Sequence, residues 1–132
     1  WSKSVLTDNL IQFIAEKENK IFVGAWGEGV FLSTDSGETW MNKNDGITNP
    51  YPMTIAINKN NIFAGTAKGI FLSTDNGNSW KEKNTGLTIS DINSIVINEN
   101  NIWAATDKGI YISTDNGDIW KNSGLSDDYV LT

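Results

Sequence analysis

An all-β fold of about three four-stranded antiparallel propeller blades is what this sequence predicts, on three observations. The octapeptide STDSGETW at Ser33 to Trp40 returns as STDNGNSW at Ser73 to Trp80 and as STDNGDIW at Ser113 to Trp120. Asp35, Asp75 and Asp115 are spaced forty residues apart, as are Gly29, Gly69 and Gly109, so one unit is copied in tandem. Each copy holds four short extended segments separated by Asn and Gly, and no segment has helical periodicity.

In the first copy the extended segments are expected at Phe13 to Ala15, Ile21 to Ala25, Gly29 to Thr34 and Trp40 to Lys43. The second copy supplies Ile55 to Ile57, Ile62 to Thr66, Gly69 to Thr74 and Trp80 to Lys83. The third supplies Ile95 to Ile97, Ile102 to Thr106, Gly109 to Thr114 and a strand beginning near Trp120. Each run is apolar or β-branched, which suits a pleated, half-buried surface. The connections Asn44 to Met53 and Asn84 to Asn93 carry Gly, Thr, Pro and Asp, which argues against a βαβ arrangement. A leucine-rich or β-helix solenoid is the runner-up, but its units are shorter and do not need four strands each. The blades are expected at about 9–44, 50–84 and 91–123, with 124–132 leading into a further blade.

The octapeptide has a physical rationale as a turn. An Asp at its start is expected to accept backbone N–H groups two or three residues ahead, and the glycine takes φ > 0 without a Cβ penalty. The Trp three residues beyond glycine then buries its ring, contributing about 2 to 3 kcal/mol of apolar transfer. Ser33, Asp35, Gly37 and Trp40, Ser73, Asp75, Gly77 and Trp80, and Ser113, Asp115, Gly117 and Trp120 are therefore read as structural. A calcium loop of the EF-hand type needs acids at closer spacing. No metal and no cofactor are expected.

These octapeptides resemble the Asp-box, or BNR repeat, of sialidase-like and sortilin-like propellers and of many bacterial surface proteins. The family pattern is roughly Ser/Thr, any, Asp, any, Gly, any, Thr, aromatic, at the turn between the third and fourth strands of a blade. The first copy matches it fully through Ser33, Asp35, Gly37, Thr39 and Trp40; the second has Ser79 in place of Thr, and Ile119 in the third loses the hydroxyl. The resemblance covers nearly the whole chain. The stretch GLTISDINSIVINENNIWAATDKGI also looks like propeller repeats of extracellular bacterial sensors. The resemblance implies an extracellular or periplasmic bacterial protein.

Composition narrows the chemistry. The 132 residues contain no Cys, no His and no Arg, and all ten basic residues are Lys against sixteen acids, a net charge of −6. Ser/His/Asp and Cys/His nucleophilic machinery is excluded, as is a zinc site built on thiolates or imidazoles. The acidic balance and absent arginine speak against nucleic-acid binding. No apolar run approaches the roughly twenty residues of a membrane span, and no membrane partner is expected. The sequence opens on Trp1 rather than Met, which reads as a processed product or a piece of something longer. In the enzymatic sialidases the resemblance implies an arginine triad clamping the substrate carboxylate, which lysine does not reproduce. No enzyme activity is expected. The photosystem assembly factors that share the fold are identified with an arginine-rich surface, which this chain also lacks. A fragment of a larger propeller glycoside hydrolase, or of an extracellular sensor, is the competing reading.

Three blades fall short of the four to eight that propellers generally have. Open edges expose unpaired strands and apolar faces, so association into a homo-oligomer is expected, a dimer of six blades being favoured. Trp1, Ser4, Leu6 and Asp8 match Trp120, Ser123, Leu125 and Asp127, so the two ends of the chain share a phase. A glycan or protein ligand is expected on the face carrying the loops between second and third strands and between blades. Those loops hold Trp26, Gly27 and Glu28; Ala67 and Lys68; Asp107 and Lys108; with Asn49-Pro50-Tyr51, Ser90-Asp91 and Asp127-Asp128-Tyr129 alongside. The candidate contacts are Trp26, Glu28, Tyr51, Lys68, Asp91, Asp107 and Lys108. The first copy breaks the repeat here: one residue is inserted, Trp26 is gained, and Glu28 stands where Lys68 and Lys108 stand in the others.

Overall fold

The structure is a computed structural model that describes residues 10–88 and 91–124. Its strands are β1 (Ile11–Lys17), β2 (Lys20–Ala25), β3 (Gly29–Ser33), β4 (Met41–Asn42), β5 (Pro52–Asn58), β6 (Asn61–Thr66), β7 (Gly69–Ser73), β8 (Lys81–Glu82), β9 (Ile92–Asn98), β10 (Asn101–Thr106), β11 (Gly109–Ser113) and β12 (Lys121–Asn122). They form three antiparallel four-stranded sheets, each in sequence order, β1 to β4, β5 to β8 and β9 to β12. Among the described residues there is no helix. This is the up-and-down order of a propeller blade. β1 lies against β5 and β5 against β9, so the first strand of each sheet forms the edge along which the blades meet. The expected lead of 124–132 into a further blade, the phase match of the two chain ends, Ser90 and the loop Asp127-Asp128-Tyr129 lie outside the described residues apart from Gly124, Trp120 and Ser123.

The first strands are longer than their apolar centres suggest. Pro52–Asn58 replaces the expected run Ile55 to Ile57, because the register shifts between Pro52 and Thr54 and breaks the alternation that marks a strand. The same irregularity falls between Ile11 and Phe13, and opposite Ala105 and Thr106 in the third sheet. The fourth strands are shorter, two residues each. Trp80 and Trp120, just before β8 and β12, serve the contact between sheets instead of the ladder within one.

Because period two sends neighbouring residues to opposite faces, Ile14, Val23 and Phe31 share one face of the first sheet, and Phe13, Gly24 and Val30 the other. The second face packs on the next sheet. Phe22, Val30 and Leu32 join Ile62, Ala64, Phe71 and Trp80 in one cluster. Phe63, Ile70 and Leu72 join Ile92, Ile95, Ile102, Tyr111 and Trp120 in another. Both main cores therefore lie between blades.

A repeated set of polar contacts fixes each seam. The backbone N–H of Trp80 donates to Asp45 O at 2.9 Å and that of Trp120 to Thr85 O at 2.9 Å. Their indole Nε1–H groups donate to Lys43 O at 2.9 Å and Lys83 O at 2.8 Å. Lys43 Nζ donates to Asn78 Oδ1 and Lys83 Nζ to Asp118 Oδ1, both at 2.7 Å. Gly46 and Gly86 admit this approach: a Cβ on Gly86 would sit 2.2 Å from Trp120 O, in a backbone at φ +87°.

Gly124 holds a similar conformation, φ +110°, with nothing within 4 Å of a Cβ. Gly124→Ala is expected to lose only the left-handed backbone preference, about 1 to 2 kcal/mol. Gly86→Ala is expected to lose that and about 1 to 3 kcal/mol more from the clash. Urea denaturation of the two variants checks this, and equal losses would mean that the second seam is not packed as described.

Candidate functional site

The two ends of the blades carry different chemistry. At one end lie the three octapeptide turns. Ser33 Oγ accepts from Gly37 N at 2.8 Å and from Asp35 N at 3.4 Å, while its hydroxyl donates to Asp35 Oδ1 at 2.8 Å. Asp35 Oδ1 in turn accepts from Thr39 N at 2.9 Å, and Oδ2 accepts from the Thr39 hydroxyl. The pattern repeats from Ser73 and Asp75, with Ser79 donating both its N–H at 2.8 Å and its hydroxyl at 2.6 Å. In the third turn the Ser113 hydroxyl still donates to Asp115 Oδ1 at 2.8 Å, but residue 119 offers only its N–H, at 2.9 Å.

This corrects the sequence-based account of the turn in one respect. The aspartate reaches four residues ahead, not two or three, and the serine hydroxyl serves the nearer N–H groups. Ser33, Ser73 and Ser113 are accordingly buried, each 1% exposed or less. The tryptophans also differ from expectation, since Trp80 and Trp120 are buried against the preceding blade whereas Trp40 is only half-buried.

The turn aspartates are exposed, and hydrogen bonds hold all three carboxyls below their ordinary range. For Asp35 the leading cause is the Thr39 hydroxyl, then the Thr39 N–H; for Asp75 it is the Ser79 hydroxyl, then the Ser79 N–H. For Asp115 the Ile119 N–H leads, then the Ser113 hydroxyl. Their lone pairs serve the turn, which suits structure rather than proton transfer.

At the opposite end lie the β2–β3, β6–β7 and β10–β11 loops. Here the Trp26 and Tyr51 rings meet edge to face, centroids 4.9 Å apart at 61°, and the rings bridge the first and second blades. Trp26 stays 40% exposed and Tyr51 38%, so the pair is a surface feature and not part of a core. Its backbone is anchored, with Trp26 N donating to Leu10 O at 2.9 Å and Ala67 N to Tyr51 O at 3.0 Å. Glu28 is exposed, and its carbonyl accepts from Asn44 Nδ2 at 2.8 Å.

Lys68, Asp91 and Lys108 are exposed at the corresponding positions of the later blades. Asp91 occupies the place of Tyr51 before the first strand of its blade. Thr66 and Thr106 accept the backbone N–H of Lys68 at 3.1 Å and Lys108 at 3.0 Å, setting the loop direction. Asp107 differs from its neighbours. Its Oδ1 is buried and has no hydrogen-bond partner among the described residues. Sequence reasoning placed Asp107 on this face but had no signal for that orphaned oxygen. No group of three or more acidic side chains converges as a metal site among the described residues.

No family model and no curated protein matches this chain. Among solved structures it is similar to an ancestral GH74 enzyme, with TM-score 0.74 and 26% identity over 95% of this chain and 20% of that one. It is similar to YCF48 from Cyanidioschyzon merolae, with TM-score 0.64 and 17% identity over 86% of this chain and 43% of that one. It is also similar to YCF48 bound to D1 peptide, with TM-score 0.65 and 16% identity over 87% of this chain and 40% of that one. The chain spans less than half the length of each of these proteins. The likeness shows a β-propeller fold.

The depressed carboxyls make a signed prediction. A folded-state pKa below the unfolded one stabilises above the ordinary carboxylate range, and that stability is lost as pH falls through the folded value. Thermal melts are expected to be level near neutrality and to drop progressively from about pH 5 downward. Asp75→Asn should have a lower melting temperature at pH 7 and a shallower acid dependence. An acid limb of unchanged steepness in Asp75→Asn would contradict the assignment.

Proposed function

We propose that this chain is a non-catalytic recognition module of the Asp-box propeller type, working outside the cytoplasm, whose ligand engages the loop face around Trp26. The observation that carries the reading is the Trp26–Tyr51 pair, two large rings held half-exposed by anchored backbone on a face the repeat does not need them for. Aromatic side chains of this kind supply much contact area at little entropic cost. Asp107 adds an acceptor whose desolvated oxygen would gain from a donor on the ligand. A polypeptide segment fits best, placing an apolar side chain on the rings and a backbone N–H or cation at Asp107. That YCF48 has been solved with a D1 peptide supports a polypeptide ligand for a propeller of this kind. A glycan at the same face is the alternative ligand, and the likeness to a GH74 enzyme favours, as the second reading, a segment of a larger glycoside hydrolase.

The blade ends bear on the assembled form. On the third blade Trp103, Ile110 and Ile112 occupy the positions of Phe63, Ile70 and Leu72; the latter are buried by the next blade, the former only half-buried, with Val96 57% exposed. On the first blade Trp40 stands where Trp80 and Trp120 make the seam. The two outer faces are related by repetition, yet on the first blade Val23, Ala25 and Phe31 are already buried with Trp40 packed against them, so a second copy docked head to tail would have to uncover them to close six blades.

Two experiments test these readings. Peptides selected from a displayed library, and glycans from an array, are expected to bind the chain and to lose about tenfold or more in Trp26→Ala, while Glu38→Ala at the octapeptide end binds normally. Binders indifferent to Trp26→Ala would remove the loop face. Light scattering is expected to return twice 14.5 kDa, and a clean monomer with a cooperative melt would remove the two-copy ring.

A further inference from the structure

The seam between the second and third blades differs from the seam before it, at the octapeptide end. In the first seam Lys17, the last residue of β1, fills the space: its side chain is 9% exposed and Nζ donates to Asn76 Oδ1 at 3.0 Å. In the second seam the same position is Asn58, a shorter side chain, and a groove of about 360 Å3 remains, with Ile102 among its lining residues. Asn58 Nδ2 donates to Glu99 O at 3.3 Å and Asn61 Nδ2 to Asn116 Oδ1 at 3.2 Å. Those bonds leave Asn58 Oδ1, Asn61 Oδ1 and Asn116 Nδ2 with no partner among the described residues, beside the exposed Lys59 and Glu99 side chains.

A second departure from the repeat lies beside the groove, at Ile119, and reaches it through Asp115. Asp35 and Asp75 each receive a hydroxyl on their second carboxylate oxygen, from Thr39 and Ser79. Asp115 lines the groove and receives none, because Ile119 carries no hydroxyl. One seam thus combines an unfilled volume, free amide donors and acceptors, and a carboxylate lacking the hydroxyl its counterparts have.

We propose that this groove is a binding site for a neutral saccharide, in which a sugar hydroxyl donates to Asp115, the turn carboxylate that lacks the hydroxyl its counterparts receive. Vicinal hydroxyls both donate and accept, so they match a lining of mixed amide donors and acceptors better than a purely anionic or cationic ligand does. The volume falls in the range of small-molecule sites. Glu99 and Asp115 disfavour an anion. A calcium ion would want six to eight oxygens, whereas the lining includes Lys59 and amide donors. The site lies at the opposite end of the blades from Trp26 and does not depend on the loop-face reading.

The test is a titration of the intact chain followed by NMR of the asparagine side-chain amides, with glucose, galactose, mannose and cellobiose in turn and calcium chloride as a separate arm. Saturable shifts of the Asn58, Asn61 and Asn116 amides are expected with at least one sugar, leaving the Trp26 indole signal unmoved. Asn58→Lys restores the side chain of the first seam and is expected to weaken binding about tenfold or more. Ile119→Thr restores the internal hydroxyl and is expected to weaken binding several-fold while retaining the fold. No saturable shift with any sugar, shifts with calcium alone, or sugar shifts unaltered in both variants would overturn the proposal.

Discussion

The structure depends on one contact, the tryptophan at the end of an octapeptide turn clamped to the preceding blade. Trp80 and Trp120 each spend both N–H groups on carbonyls of that blade while their rings complete a core that neither sheet has alone. A four-stranded sheet of this size buries little by itself, so stability has to come from the seam. The remaining features of the repeat serve the clamp. Serine and aspartate hold the turn that delivers the ring, and Gly46 and Gly86 clear the backbone it docks on.

This division of labour explains what was legible in the sequence. The phase of Asp35, Asp75 and Asp115 discloses the blades, because each copy must bury the same face against the next. The lengths of the first strands were not legible, since the irregularity at Pro52 and Thr54 interrupts the alternation and the polar ends at Asn58 and Asn98 resemble turns. Nor was the division of hydrogen bonds within the octapeptide. Ser73 and Asp75 recur equally, and only geometry shows that the serine takes the near N–H groups and the aspartate the far one.

The candidate sites were legible where the repeat is broken and opaque where partners are brought together by the seam. The insertion at Trp26 and the aromatic Tyr51 both stand out along the chain, yet nothing in their separation predicts that the rings meet; that follows from the stagger of neighbouring blades. The replacement of Lys17 by Asn58 and of Thr39 by Ile119 is visible in the aligned copies. That Asn58 and Asp115, the carboxylate left without a hydroxyl by Ile119, line one groove is not, because they lie on different blades. Function in such a scaffold resides where a copy departs from the others, since the regular positions are already committed to the seams.

The central claim is that the seam tryptophans carry the fold, and hydrogen exchange of the indole Nε1–H groups tests it most directly. Trp80 and Trp120 are predicted to exchange only through global unfolding, with protection equal to that of the slowest backbone amides. The half-exposed Trp26 ring provides the internal reference for rapid exchange. Exchange of Trp80 and Trp120 as fast as that of Trp26, in a chain that still melts cooperatively, would contradict the account.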